Sequence, residues 1–142
     1  MKGAPAARAG VVPVDTPRVL PNWMRNALLA TAVMNLTAGL AFLPPAQPLR
    51  AVAGMPDGEP VYLTTVALFV LLFGAGYAYC GLMRRDERLF LALSAIGKIS
   101  FVSIVTFYWL AGRLPFQAVM TASGDLVFGA LFAGWLLTSR RG

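Results

Sequence analysis

Residues 91–105 read LALSAIGKISFVSIV, and Lys98 is the only charge in the run. Wound as a helix, the stretch is about 22 Å long, most of the way through a membrane's hydrocarbon core. An ammonium at that depth costs roughly 2.5–3.5 kcal/mol on insertion scales. Such a residue calls for a partner, and the good candidate is Asp125, an acid that also stands inside an apolar segment.

The whole chain supports a membrane setting. It has 142 residues, 58% of them hydrophobic and only 13% charged. Mean hydropathy is +0.68. Soluble domains carry close to a quarter charged residues, so this chain has about half the usual polar coat. The length suits one small bundle. Net charge is +6, which in a soluble domain would suggest nucleic acid. Here the basic residues flank apolar segments, the positive-inside pattern of a bilayer protein, so no nucleic-acid partner is expected.

Side-chain inventory narrows the chemistry. Cys80 is the only cysteine, so neither an intrachain disulfide nor a dithiol pair can form. The chain has no histidine, which removes His-ligated haem, the usual zinc sites and the commonest general base. No cofactor and no metal are expected.

Four apolar spans fall at about 23–43, 61–83, 89–111 and 116–138. Asn22 is read as the N-cap of the first, Trp23 as an interface anchor, and Pro44-Pro45 as its stop. The piece 48–55 suits either a short interfacial helix with Leu49, Val52 and Met55 toward lipid, or a plain loop. Residues 1–21 read as a disordered basic tail. Nine basic residues (Lys2, Arg8, Arg18, Arg25, Arg84, Arg85, Arg88, Arg140 and Arg141) fall on one side of the spans, against Arg50 and Arg113 on the other. The expected fold is therefore all-α: a four-helix transmembrane up-down bundle with both termini cytoplasmic.

Counting along the spans brings Lys98 and Asp125 to similar depth, with Asn35 near the same level and the Tyr77 hydroxyl slightly nearer the cytoplasm. Expected inward faces are Thr31, Asn35 and Gly39; Gly74, Tyr77, Ala78 and Gly81; Ser94, Gly97, Lys98, Phe101 and Val105; and Thr121, Asp125, Phe128, Gly129 and Phe132. The glycines and Cys80 read as packing residues. Lys98, Asp125, Tyr77 and Asn35 read either as a buried ion pair that fixes helix register or as a polar pocket that binds a small ligand or carries a proton.

The motifs Phe73-Gly74-Ala75-Gly76-Tyr77, Gly97-Lys98 and Gly124-Asp125-Leu126, with Met55-Pro56, resemble a largely uncharacterised family of small four-helix bacterial inner-membrane proteins, distantly similar to the DoxX-like group. The resemblance covers about residues 22–135. It implies the four-helix fold and a Lys/Asp/Tyr constellation, and DoxX-like proteins are linked to redox membrane complexes. An asparagine often precedes the aspartate in those relatives; Gly124 stands there in this chain.

Three functions compete. One is a bundle whose midplane polar cluster binds a small ligand or supports a membrane complex, with a partner protein or a second copy. Another is a small proton-coupled transporter acting as an oligomer, although the first span has no acid and Lys98 already neutralises Asp125. The third, an enzyme using Tyr, Lys and Asp for acid–base chemistry, lacks any nucleophile motif, phosphate loop or metal spacing.

Overall fold

The structure is a computed structural model, and it describes residues 20–139. The expected tail lies outside the described residues except for Leu20 and Pro21. All regular elements among the described residues are helical: α1 (Asn22–Phe42), a 3-10 turn (Pro44–Ala46), α2 (Gln47–Val52), α3 (Pro60–Met83), α4 (Arg88–Leu110) and α5 (Phe116–Thr138). Three of them, α3, α4 and α5, are long and apolar enough to cross a membrane. The least apolar of the long helices is α1, which carries Asn22, Arg25, Asn26 and Asn35. It qualifies as a span only together with the 3-10 turn and α2, from which it is bent by 93°.

Helix ends follow local chemistry. Pro21 occupies the N-cap of α1 and no side chain caps it, so Asn22 is the first helical residue rather than the cap. Leu20, read from sequence as tail, is buried against the core, and its N–H reaches the Arg84 carbonyl. At the end of α3, Arg84 takes a left-handed φ of 53°, and the N–H groups of Arg84 and Arg85 both return to the Cys80 carbonyl. Gly112, at φ 68°, turns the chain out of α4, and Pro115 sets the start of α5.

The helices pair as two tight antiparallel hairpins. In α1/α3 the close approaches are Gly39 to Leu71 and Ala67, Gly74 to Asn35, and Gly81 to Leu29. In α4/α5, Gly129 lies against Ala95, Lys98 and Ile99. Between the hairpins, side chains fill wider seams. Phe90 of α4 covers Gly76 of α3, while Met34 of α1 approaches Gly124 of α5 and Trp23 packs edge-on against Trp135 at 5.7 Å. Gly97, expected inward, has nothing near its Cβ position, and Thr121 is exposed. Both lie one step around their helices from the buried stripes Ser94–Ala95–Lys98 and Ala118–Ala122–Gly129.

The surface suits lipid. Leu68, Phe69, Leu72, Leu93, Ile96, Ile104, Phe107, Met120 and Val127 are all exposed. Exposed hydroxyls donate back to their own helix: Thr37 to Val33, Thr65 to Val61, Ser103 to Ile99 and Thr138 to Gly134. That internal satisfaction is what hydrocarbon demands.

The connector after α1 is a built strap rather than a plain loop. Arg50, 3% exposed, turns back and donates to the carbonyls of Ala41, Leu43 and Pro44 at 3.1, 2.6 and 3.3 Å. These carbonyls lie at and just beyond the negative end of α1, where a cation is favoured, and that of Leu43 also accepts the Ala46 N–H. The same Nη2 that reaches Pro44 also donates to Asp57 at 2.7 Å. Gly54, at φ 69°, presses on α5: a Cβ there would lie 2.9 Å from the Ala118 nitrogen. Thr121 donates to the Ala53 carbonyl at 3.1 Å, and Met55 joins the apolar cluster of Val102, Val105, Ala118 and Ala122.

The Arg50 hydrogen bond, followed by the Gly58 backbone N–H, holds the Asp57 carboxyl below its ordinary value of 3.8. A carboxyl lowered in the folded state stabilises the fold above its unfolded value and loses that contribution as pH falls through the folded value. We expect wild-type melting temperature to fall on acidification below about pH 4 more than that of Asp57→Asn, by a small margin because Asp57 is half-exposed. Parallel acid profiles would remove the clasp as a stabilising element.

Candidate polar centre

The four residues singled out from sequence come together, one from each long helix. Lys98 sits at the middle of α4 and is 7% exposed. Its ammonium donates to Asp125 Oδ1 of α5 and, at a long 3.4 Å, to Asn35 Oδ1 of α1. It also stands 5.4 Å from the centroid of the Tyr77 ring of α3, within cation–π range.

Each partner is held from behind. Asn35 Nδ2 donates to the Val70 carbonyl at 3.1 Å, which turns the amide oxygen toward Lys98. Gly74 permits this, because any Cβ there would stand 3.2 Å from that of Asn35. Gly129 plays the same part in the other hairpin: its Cβ position is 3.3 Å from Lys98 Cβ. With α4 and α5 this close, Asp125, one turn before Gly129, reaches the ammonium. Tyr77 is stacked on Phe132 at 5.6 Å and meets the edge of Phe90 at 5.1 Å.

One expectation changes. The ring face of Tyr77, not its hydroxyl, meets the ammonium. The hydroxyl is turned toward Ser94, in a contact outside ordinary hydrogen-bond geometry that leaves Ser94 Oγ unpaired. The aromatic cage fixes the ring, and the ring's orientation fixes where the hydroxyl falls.

The centre is a thin polar layer between two apolar ones. Toward the Arg84 end lie Leu20, Met24, Leu28, Tyr77, Cys80, Leu91, Ala95 and Phe132. Toward the Arg50 end lie Val102, Val105, Ala118 and Ala122. The flanking layers are apolar, so an unpaired charge there is costly and a matched pair is tolerable. Asp125 differs from its neighbours in remaining 23% exposed. Its contacts among the described residues run through Oδ1 alone, so one carboxylate edge is open.

Surface grooves of about 470 Å³ (Trp23, Val127, Leu131, Gly134 and Trp135 among its walls) and about 390 Å³ (Leu40, Leu43, Pro45 and Leu49) lie elsewhere and are almost wholly apolar. Neither touches the polar centre. Among the described residues no group of His, Cys, Asp and Glu could hold a metal ion. No protein-family model, curated protein or solved structure matches the chain.

Sequence reading missed Phe90 and the Val70 carbonyl as supports of the centre, and Met34 as its neighbour. A periodicity argument puts Met34 off the Thr31–Asn35–Gly39 stripe, and only the packing of α1 on α5 brings it in. Arg50 was also missed, although a lone Arg–Asp pair seven residues apart in a Pro/Gly linker was the signal to use.

Removing one member of the pair strands the other. Lys98→Met should cost about 3–5 kcal/mol in unfolding free energy, whereas Lys98→Met combined with Asp125→Leu should restore most of the loss. Equal losses in the single and double variants, measured in one detergent, would show that the charges are not coupled.

Proposed function

We propose that the chain is a multi-pass protein of the bacterial inner membrane, a four-helix up-down bundle with both termini cytoplasmic, whose polar centre binds a small ligand. The observation that carries the reading is the open carboxylate edge of Asp125 in an otherwise closed Lys98, Asn35 and Tyr77 cluster. A pair that served only to lock register would do best fully sealed, because an unsatisfied carboxylate oxygen in hydrocarbon costs several kcal/mol. A partner membrane protein or a second copy of the chain would extend the same role to a complex. Proton-coupled transport is disfavoured, since it needs a carboxylate free to change its proton and Lys98 holds this one. Membership of the DoxX-like group is proposed on the Phe73–Tyr77, Gly97-Lys98 and Gly124–Leu126 motifs.

The orientation rests on the excess of Lys and Arg around the 83–88 turn and the chain ends. In a Cys80→Ala background, cysteines at Gly58 and Arg113 should react with a membrane-impermeant maleimide in intact cells, and one at Arg85 only after lysis. The reverse pattern inverts the topology. For function, protein purified with native lipid should carry a small molecule visible by mass spectrometry that is absent from the Lys98→Met/Asp125→Leu variant. Identical small-molecule complements would discard the ligand-binding reading.

A further inference from the structure

The centre also limits what kind of ligand it can take. Lys98 offers nothing to an anion. Its ammonium is committed to Asp125 and Asn35, and the Tyr77 ring stands over it. An arriving anion would meet the Asp125 carboxylate. An arriving cation finds a carboxylate whose charge Lys98 already cancels, and it would stand close to that ammonium in a low-dielectric layer. The pair is neutral as it stands. What the open edge of Asp125 lacks is a hydrogen-bond donor without charge.

The surroundings indicate how such a donor arrives. Asp125 follows Gly124, and among the described residues the only atom beyond Gly124's own stretch of helix that comes within 4 Å of its Cβ position is the Met34 sulfur, at 3.3 Å. What faces Gly124 from α1 is therefore a thioether on a flexible stem. Leu126 and Val127, next in the chain, are exposed apolar side chains on the outer surface. An apolar body can lie along α5 while its polar end reaches Asp125.

Resting on the ligand-binding reading above, the geometry points to a neutral amphiphile: a largely apolar molecule with one hydroxyl or amide N–H group that donates to Asp125 through the Met34–Gly124 seam. The ligand is neither a carboxylate nor an amine. Gly124 acts as a positioning residue, admitting the ligand without touching its polar group.

The test uses the full chain in lipid nanodiscs and three matched probes at neutral pH: decanol, decylamine and decanoate. Thermal unfolding is followed against probe concentration. The shift seen with Lys98→Met/Asp125→Leu is subtracted for each probe to remove general partitioning. Decanol should raise the wild-type melting temperature at concentrations about tenfold lower than either charged probe, in line with one added hydrogen bond. Gly124→Val, which fills the seam, should weaken the decanol response while Gly124→Ala, which meets only the movable sulfur, should keep most of it. A larger site-dependent response to decylamine or decanoate overturns the neutral-donor assignment and leaves the binding site standing. If no probe responds differently in wild type and double variant, the binding reading itself fails. An undiminished decanol response in Gly124→Val rules out the seam as the route.

Discussion

An ammonium half-way along an apolar helix has to be answered by the rest of the molecule. Lys98 is answered on three sides: by a carboxylate from α5, an amide oxygen from α1 and an aromatic face from α3. Because those groups come from three other helices, the charge can be satisfied only when all four pack in one register. Apolar packing alone is permissive, since a helix can slide or rotate by a residue and still bury leucines. A buried pair with one matched partner is not, because a slip leaves two unpaired charges between apolar layers.

Short backbone distances make that register possible. Gly74 lets α1 and α3 meet at the level of Asn35, and Gly129 lets α4 and α5 meet beside Lys98. Each hairpin thus has a glycine where a polar residue needs its partner's backbone close. The seams between hairpins are filled differently, by Phe90, Tyr77 and Phe132 on one side and by Met34 with the Trp23–Trp135 pair on the other.

The Arg50 end is fixed by a second charge with a different solution. Arg50 has no lipid-facing role; it gathers the carbonyls of Ala41, Leu43 and Pro44 around the end of α1 and adds Asp57. The bend of 93° between α1 and the following segment follows from Pro44-Pro45 stopping the helix and Arg50 folding the chain back on it. The strap then lays Gly54 and Met55 over α5 and the apolar cluster of Val102, Val105, Ala118 and Ala122.

By itself the sequence determined the helical class, the approximate spans and the pairing of Lys98 with Asp125. The reason is that composition and the price of a lone charge in hydrocarbon act locally and leave few choices. Asn35 and Tyr77 were legible for the same reason, as polar groups at matching depth. Tertiary structure alone decided that the Tyr77 ring, not its hydroxyl, faces the ammonium, that Gly97 and Thr121 lie off the inward stripes, that Arg50 is buried, and that Met34 lies against Gly124. Those outcomes depend on rotation of each helix about its axis and on the χ angles of side chains meeting across seams. Helical spacing fixes such angles only to within a residue or so, and contact with the neighbouring helix sets the rest.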